Sequence, residues 1–324
     1  VYIWFQDKKT SLTDFTISDV VRSGVEVPSS SIGVYAGDEE CYSLYSTLFE
    51  PIMKEYHGLD KLPAHVSCLD ARRLTSVIQS EAPVLSTRCR VVRNLAGYGF
   101  PAGMSREQRL EVESLLVTAL EDLKGDLCGH YYPYDSLTSS EKYNLANDGY
   151  LFQARYSHYQ VAAGIHRNWP EGRGIFYNDA KTFLVWVNEE DHLRIISMQK
   201  GADVKAVFDR LCRGINAINK ALLRHAQTGF AFHKQYGYLS SCPTNLGTGM
   251  RASVHVSVPP AFNDVRNKCR QLGLDVRGQH GETSEAEGGM YDLSNHQRLG
   301  RTEVDLLQAV IDGINTLQST STRK

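Results

Sequence analysis

The fold is decided by residues 181–198, which read KTFLVWVNEEDHLRIISM. Residues 182–187 are almost continuously apolar, which indicates a strand buried on both faces of a sheet. The polar residues 188–191 interrupt this run, and a second apolar segment follows from Leu193 to Met198. Two strands joined by a short acidic turn form a hairpin, so this stretch predicts an antiparallel sheet.

Other segments extend this sheet and add helices. Residues 84–92 have the composition of a strand, and residues 250–258 alternate between polar and apolar side chains. Helices are predicted after the N-terminal capping residues Asp38 and Ser105. Further helices are predicted from Asp203, around residues 262–272 and from Thr302. Residues 131–133 are predicted to form a turn. Hairpin-like strand pairs mixed with helices are typical of the α+β class.

The chain divides into two predicted domains. The helix after Asp38 has an apolar stripe and ends at Gly58, and residues 59–82 have the weak periodicity of a linker. We therefore predict a small N-terminal helical domain over residues 1–75. A larger domain over residues 76–324 would hold the antiparallel sheet and its flanking helices. The chain does not begin with Met, which predicts a fragment or a processed form.

The composition excludes several classes of protein. A formal net charge of −2 over 324 residues provides no global basic field for a nucleic acid. No apolar run approaches the ~18 residues that would span a bilayer, so no membrane partner is predicted. The seven cysteines form no CxxC pair. This pattern indicates reduced thiols in a cytosol-like compartment and predicts a cytoplasmic protein.

Five arginines lie on or beside predicted strands: Arg88, Arg90, Arg194, Arg251 and Arg277. A guanidinium group binds phosphate oxygens in a bidentate manner and keeps its charge when it is partly buried. Several such groups on one sheet face would repel each other unless a polyanion lay between them. The group therefore predicts a polyphosphate site, although each arginine alone is more typical of solvated surface charge.

The sequence contains none of the usual phosphate-binding loops, such as GxxxxGK[ST]. If a nucleotide binds, arginines must replace the backbone cradle of such a loop. Mg²⁺ would then be held mainly by the phosphates and by water. The histidines show no ligand spacing such as HExxH, so no metal site built by the protein itself is predicted.

Polar turns carry further candidate residues. Glu190 follows a buried strand and Glu282 lies in a Gly-rich loop, and such a carboxylate pair could hold a cationic nitrogen group and accept its proton. Cys242 lies in a turn before the strand of Arg251, and a nearby cation would lower the pKa of its thiol. His255 on that strand could contact a nucleotide. Each residue has a simpler alternative. Glu190 would lie in a solvated hairpin turn and Glu282 in a mobile acidic loop, while Cys242 would be an inert thiol and His255 a core histidine.

Several long motifs resemble the phosphagen (guanidino) kinase family, and the resemblance covers almost the whole chain. The motifs are residues 242–255 (CPTNLGTGMRASVH), 181–198, 86–90 (STRCR), 169–175 (WPEGRGI) and 277–291. The resemblance implies a small helical domain and a larger domain built on an antiparallel sheet. It also implies reversible transfer of the γ-phosphoryl group of MgATP to a guanidino nitrogen. Such a transfer depends mostly on positioning and charge stabilisation.

The resemblance implies site residues as well. ATP or ADP would be held by Ser86, Arg88, Arg90, Arg194, Arg251, Ser253, His255, Arg277 and His280. Glu190 and Glu282 would orient the guanidinium group, one of them as the base, and Cys242 would lie beside it. The substrate-specificity loop would be formed by Ser31, Ile32, Gly33, Val34 and Tyr35.

The guanidine is predicted to be L-arginine. Residues 15–21, 36–40 and 303–307 are similar to the creatine-kinase branch, whereas the short loop over residues 31–35 and the carboxylate of Glu282 are similar to arginine kinases. In this family a shorter loop goes with a longer substrate, and a carboxylate suits an unsubstituted guanidinium group. Taurocyamine, lombricine, glycocyamine and creatine stay open as alternatives.

The sequence departs from the family pattern at Gly149, His280 and Thr283. The first position usually carries a histidine that contacts the nucleotide. The loss of this histidine motivates a second hypothesis, a non-catalytic relative that binds nucleotide as a sensor or scaffold. A protein-arginine kinase is a third, although an N-terminal helical stretch that covers the site favours a small substrate. The expected assembly is a monomer or a homodimer.

Overall fold

The computed structural model describes residues 7–79, 84–152, 157–257, 265–277 and 290–319. Glu282, His280 and Thr283 lie outside these ranges, together with most of the predicted acidic loop. The helices of the described residues are α1 (Ile17–Glu26), α2 (Cys41–Leu44), α3 (Ser46–His57), α4 (Arg106–Glu121), α5 (Ser139–Asn147), α6 (His158–Ala162), α7 (Val204–His225), α8 (Val265–Gln271) and α9 (Glu303–Ser319). None of these helices is long and apolar enough to cross a membrane.

The strands of the described residues are β1 (Val84–Arg93), β2 (Gly129–Pro133), β3 (Gly174–Asn178), β4 (Phe183–Val187), β5 (Leu193–Lys200), β6 (Phe232–His233), β7 (Gly237–Tyr238), β8 (Met250–Ser257), β9 (Leu274–Arg277) and β10 (Met290–Asn295). Eight of them form one antiparallel sheet in the order β2-β3-β4-β5-β1-β8-β10-β9, and β6 pairs with β7. The α+β class is confirmed. The predicted hairpin is β4 and β5, in which Val187 pairs with Leu193.

One face of the sheet forms the main hydrophobic core. Cys89 and Val91 of β1 and Ile195 of β5 point to this face and are fully buried. They pack in one cluster with side chains of α4 and α7, such as Leu116 and Phe208. Since side chains alternate along a strand, the residues between these apolar positions point to the opposite face. That opposite face carries the arginines.

The N-terminal helices form a second cluster against the end of the sheet. Phe15, Tyr42 and Phe49 are buried there together with Leu239 and Leu246 of the larger unit. This arrangement confirms the expectation of a small helical domain beside a larger domain built on an antiparallel sheet. The boundary between residues 75 and 76 stays a prediction.

The helix predicted after Asp38 is divided in two. Its first part, α2, ends at Leu44, and α3 begins at Ser46. The intervening Tyr45 has φ −111° and ψ 29°, outside the helical region. Its hydroxyl group donates to the carbonyl oxygen of Phe15 at 2.9 Å, so a tertiary contact accompanies the break in the helix. The carboxylate of Asp38 still accepts from the first backbone N–H groups, at 3.1 and 3.3 Å.

The turn predicted at residues 131–133 is wrong. These residues belong to β2, where Tyr131 pairs with Phe176 of β3. Pro133 is the last residue of this strand, and β2 lies at the edge of the sheet. A proline is compatible with a strand in such a place because no neighbouring strand needs its missing N–H group.

Candidate active site

Three adjacent strands, β5, β1 and β8, bring the predicted arginines together. In the register of the sheet, Arg90 pairs with Arg251 and Val92 pairs with Arg194. Paired residues of antiparallel strands point to the same face, as do residues two apart on one strand. Arg88 therefore shares this face with the other three arginines. The residues lie opposite the main core, on one contiguous cationic surface.

Within the described ranges, carboxylates balance only part of the charge of this cationic surface. Burial and the neighbouring Arg251 and Arg194 lower the pKa of Arg88 to about 10. Burial, followed by the effect of Arg194 and Arg251, also lowers the pKa of Arg90. The Nε and Nη2 atoms of Arg88 are buried and have no hydrogen-bond partner among the described residues. Orphaned guanidinium donors on a shared face fit a polyanion such as the phosphate chain of a nucleotide.

Two carboxylates balance part of this charge. Asp292 of β10 accepts a hydrogen bond of 2.7 Å from Nη2 of Arg251, and both side chains are buried. Glu189 in the turn before β5 lies 3.0 Å from Nη2 of Arg194. The guanidinium groups of Arg194 and Arg88 also lie 5.3 and 5.6 Å from the ring centroid of Trp186. These contacts orient the guanidinium groups before any ligand binds.

The remaining predicted nucleotide residues continue along the same face. Ser86 pairs with His255, and their Oγ and Nδ1 atoms are 3.2 Å apart. His255 Nε2 lies 3.5 Å from Oδ1 of Asp292. Ser253 pairs with Arg88 and is buried. Arg277 is the last residue of β9 and pairs with Asp292, so it faces the same side at the far end. His280 lies outside the described residues.

Glu190 lies at the end of this surface, in the turn between β4 and β5, and is not a solvated hairpin residue. Its Oε2 atom accepts a hydrogen bond of 2.7 Å from Nε2 of Gln160, and its Oε1 atom lies 3.3 Å from Nδ2 of Asn245. The hydroxyl group of Ser241 donates to its carbonyl oxygen at 2.7 Å. Burial and then the neighbouring Glu189 raise the pKa of Glu190 to about 7. A carboxyl group with such a pKa can exchange a proton near neutral pH.

The loop of Cys242 reaches the same place. Cys242 is buried at the start of a short 3₁₀ turn, Pro243–Asn245, and its Sγ atom lies 3.1 Å from Oγ1 of Thr244. Arg298 holds this loop, since its Nη1 atom donates to the carbonyl oxygen of Thr244 at 3.1 Å and to the side-chain oxygen of Asn245. The turn predicted from the proline, asparagine and glycines of this stretch is therefore present.

The predicted lowering of the Cys242 pKa is wrong for the described structure. Burial and then the neighbouring Glu190 raise the pKa of this thiol to about 12, against a smaller opposite effect of Thr244. The sequence places Arg251 nine residues away, but the register of the sheet directs Arg251 to Asp292. The charged neighbour of Cys242 is thus an acid. A cation that entered beside both groups would favour their ionised forms.

The predicted specificity loop lies against these residues. Gly33 has φ 69°, and its carbonyl oxygen accepts a hydrogen bond of 2.9 Å from the N–H group of Gly24. The N–H group of Ala36 donates to the carbonyl oxygen of Ser241 at 2.8 Å, next to Cys242. Ser31 is exposed, Ile32 and Gly33 are half-buried, and Val34 and Tyr35 are buried.

Tyr35 is the member of this loop that lies close to Cys242 and Glu190. Burial raises the pKa of Tyr35 well above its usual range, and the neighbouring Cys242 and Glu190 add to this effect. The structure thus brings the loop, the thiol and one carboxylate together at one end of the cationic surface. Glu282, the second predicted carboxylate, lies outside the described residues.

Family models for two domains match this sequence. The ATP:guanido phosphotransferase C-terminal catalytic domain matches residues 111–322, and the N-terminal domain of the same family matches residues 1–54. The chain belongs to the ATP:guanido phosphotransferase family. The resemblance found in the sequence motifs is thereby confirmed.

Relatives within this guanido phosphotransferase family differ in their guanidine. An arginine kinase of Anthopleura japonica is 46% identical over 320 residues, which are 96% of this chain but 44% of that protein. The chain therefore spans less than half the length of this curated relative. A crystal structure of lombricine kinase matches with a TM-score of 0.92 and 39% identity, over 97% of this chain and 87% of that one. The duplicated taurocyamine kinase of Schistosoma mansoni, with bound transition-state-analogue components, matches with a TM-score of 0.89 and 36% identity, over 98% and 44%.

Gly149, where the family resemblance predicts a histidine, follows the C-terminal end of α5. Its φ angle is 74°, in the left-handed region that glycine adopts without strain. An added Cβ atom would meet no other atom within 4 Å. Backbone conformation, and not space, therefore favours glycine at this position of this family member.

Five residues of the candidate site were not predicted from the sequence: Glu189, Gln160, Asn245, Asp292 and Arg298. Asp292 had a detectable signal, because it is an acidic residue inside a strand-like segment. Asn245 and Glu189 lie inside recognised motifs, but the neighbouring Cys242 and Glu190 were predicted as the site residues of those motifs. Gln160 and Arg298 gave no signal, since their contacts join segments that are 30 and 53 residues apart in the sequence.

Proposed function

We propose that this protein transfers the γ-phosphoryl group of ATP reversibly to the guanidino group of L-arginine, which gives phosphoarginine and ADP. The main observation behind this proposal is that a cationic surface and an acidic group lie next to each other. A cationic sheet face with orphaned guanidinium donors ends at a carboxylate, Glu190, whose pKa is raised to about 7. The first surface suits the phosphates of a nucleotide and the second suits a cationic nitrogen nucleophile.

The nucleotide would lie along β1, β5 and β8. Arg88, Arg90, Arg194 and Arg251 would bind its phosphate oxygens, with Arg277 at the far end, and Ser86, Ser253 and His255 would lie along the same strands. Mg²⁺ bound to the phosphates would neutralise part of their charge. The arginines fit the phosphate oxygens of MgATP, and the phosphates and water would hold the Mg²⁺ ion.

The guanidine would lie between Glu190, Cys242 and the loop that ends at Tyr35. Its nucleophilic nitrogen attacks the γ-phosphorus atom, and the bond from that phosphorus to the bridging oxygen of ADP breaks. The carboxylate of Glu190 takes the proton that the nitrogen loses. The Sγ atom of Cys242 would face the cationic guanidinium, and Glu282 would be the second carboxylate.

L-arginine is the proposed guanidine for two reasons. The Anthopleura japonica arginine kinase is 46% identical over almost all of this chain, and the specificity loop is short, with Tyr35 buried next to Glu190. Lombricine, taurocyamine, glycocyamine and creatine are the alternative substrates within the same reaction. The two-domain division at residues 75 and 76 belongs to this proposal, with the smaller domain covering the guanidine.

A guanidine panel tests this function. The purified protein is incubated with MgATP and one guanidine at a time, and ADP and the phosphorylated guanidine are both quantified. We expect ADP to form only when L-arginine is present. Turnover of another guanidine but not of arginine would replace the substrate. ATP binding with no phosphoryl transfer to any guanidine would favour a non-catalytic nucleotide-binding protein.

The location and the assembly of the protein are further parts of the proposal. All seven cysteines are free, which agrees with a reducing compartment such as the cytoplasm. Both a monomer and a homodimer are compatible with the arrangement of the described residues. Sedimentation of the purified protein separates the two.

A further inference from the structure

A short helix, α6, carries a side chain that contacts the carboxylate of Glu190 from outside the acidic turn. Gln160 lies on this helix, 30 residues before Glu190, and its Nε2 atom is 2.7 Å from Oε2 of Glu190. This hydrogen bond is shorter than the contact of Asn245, whose Nδ2 atom lies 3.3 Å from the other carboxylate oxygen of Glu190. The two amide groups together engage both carboxylate oxygens.

The orientation of the Gln160 amide is fixed by a second contact. Its Oε1 atom accepts from the backbone N–H group of Ser157 at 3.2 Å and from the Ser157 hydroxyl group at 2.9 Å. A backbone N–H group can only donate, so the oxygen end of the amide must face Ser157. The NH₂ end is thereby directed to Glu190. This contact is the capping box at the start of α6.

The position of α6 depends on the N-terminal helices. This helix packs against α1, which precedes the specificity loop. The neighbouring Tyr159 packs partly buried against the cluster that holds Tyr35. The substrate-specificity segment and the amide that contacts Glu190 are therefore attached to the same packed unit.

We infer that Gln160 is a positioning residue for the phosphoryl-transfer base: it holds the carboxylate of Glu190 ionised and aimed at the guanidine, and it links this base to the specificity segment through α6. The inference rests on the proposed function. It adds a residue that acts through Glu190 and does not touch the reacting atoms.

The charged groups around Glu190 set the size of the expected effect. Glu189 and Asp191 raise the pKa of Glu190, whereas Arg194 and the hydrogen bond of Gln160 lower it. Cys242 and Tyr35, from the two neighbouring loops, face it as well. Removal of the Gln160 donor leaves the acidic neighbours in place, so the carboxylate gains a proton more easily.

The test compares Gln160→Leu with Ser157→Ala and with a control, Val161→Ala, on the exposed side of the same helix. The quantities measured are kcat and KM for both substrates as a function of pH. For Gln160→Leu we expect the acidic limb of the kcat profile to move up by about one pH unit, since hydrogen bonds to charged groups have that order of strength. We expect kcat to fall and KM for ATP to stay unchanged. Ser157→Ala should shift the limb less in the same direction, and Val161→Ala should not shift it.

A second readout does not need turnover. In protein labelled with ¹³C at the glutamate carboxyl groups, the signal of Glu190 is assigned by its loss in Glu190→Gln and is titrated in the wild type, Gln160→Leu and Ser157→Ala. A higher titration midpoint of Glu190 in Gln160→Leu, with a smaller rise in Ser157→Ala, supports the inference. An unchanged midpoint in both overturns it, even if kcat falls. If no guanidine is phosphorylated, the proposed function fails, while the titration still decides the role of Gln160.

Discussion

Nη2 of Arg251 lies 2.7 Å from Oδ2 of Asp292, and only 7% of the arginine side chain and 10% of the aspartate side chain are exposed. The pair joins β8 and β10 on the face that carries the other arginines. Burial tends to raise the pKa of Asp292, but Arg251 and His255 lower it below its usual value. Arg251 is thus held by an internal carboxylate beside the surface where we propose that phosphates bind.

Asp292→Asn should destabilise the protein and make its stability depend on anions. The substitution leaves a buried guanidinium group among other cations, and breaking a buried pair from one side costs about 3–5 kcal/mol. Urea unfolding should show this loss, and ATP or pyrophosphate should restore more stability in the variant than in the wild type. Asp209→Asn is the control, because its pair with Arg213 is largely exposed and such pairs contribute about 0–1 kcal/mol. Equal losses in both variants would contradict this role of Asp292.

Glu190→Gln should lower kcat by roughly 10²–10⁴, the range typical of a lost general base, and leave the Kd of ATP almost unchanged. The carboxylate lies beyond the arginines that we assign to the phosphates, so binding of the nucleotide does not require it. Kinetics with arginine and equilibrium titration with ATP measure the two effects separately. Glu171→Gln, in an exposed pair with Arg106, is the control. Parallel losses in kcat and in ATP affinity would mean that Glu190 is structural.

Cys242→Ser should reduce turnover partially, by about tenfold, which corresponds to roughly 1.4 kcal/mol of transition-state stabilisation. Serine keeps a similar size but cannot supply a thiolate beside the guanidinium group. Steady-state kinetics with saturating MgATP measures the loss. Cys128→Ser, at an exposed position, should have full activity. A fully active Cys242→Ser enzyme would show that the thiol only packs.

Stability should fall as the pH is lowered from about 6.5 towards 3. Burial lowers the pKa of His57 and of His192 to about 3, against the smaller opposite effect of their hydrogen bonds to the carbonyl oxygens of Pro243 and Gly99. In the unfolded chain both titrate near 6.5. Above pH 6.5 the rings are neutral in both states. As the pH falls through the window between the two values, only the unfolded chain takes up these protons, so the folded state loses stability.

The His57→Gln substitution tests this pH dependence. Each buried histidine contributes up to about 1.4 kcal/mol per pH unit inside the window. Urea unfolding at several pH values should therefore give a flatter dependence for His57→Gln than for the wild type. His130→Gln, at an exposed position, should keep the wild-type slope. An unchanged slope in His57→Gln would exclude this histidine as a source of the acid sensitivity.

The sequence predicted most of the sheet because its strands carry strong local signals. The apolar runs on either side of the acidic turn predicted β4 and β5, and the alternation after Met250 predicted β8. The capping box at Ser105 marked the start of α4, and the predicted start of the last helix at Thr302 agrees with α9, where Thr302 Oγ1 accepts from the N–H group of Asp305. The failures were also local: residues 131–133 have turn-like composition, but pairing with β3 makes them an edge strand, and a tertiary contact accompanies the break at Tyr45.

The candidate site was predicted less completely, because its contacts are not local. Motifs indicated the arginines and Glu190, but no periodicity connects Gln160 with Glu190 or Arg298 with Asn245. The predicted lowering of the Cys242 pKa by Arg251 rested only on the short distance between the two residues in the sequence. In the folded chain the strand directs Arg251 to Asp292, and the acidic neighbour of the thiol is Glu190.

The sequence by itself determined the α+β class, the family, the set of phosphate-binding candidates and the acidic turn, because each depends on residue types and spacings along one segment. Only the tertiary structure decided which charges meet. Register places four arginines on one face, packing of α6 on α1 brings Gln160 to Glu190, and burial sets the proton affinity of Glu190 and Cys242. Electrostatic energies and hydrogen bonds depend on distances and on exclusion of water, which the order of residues along the chain does not contain.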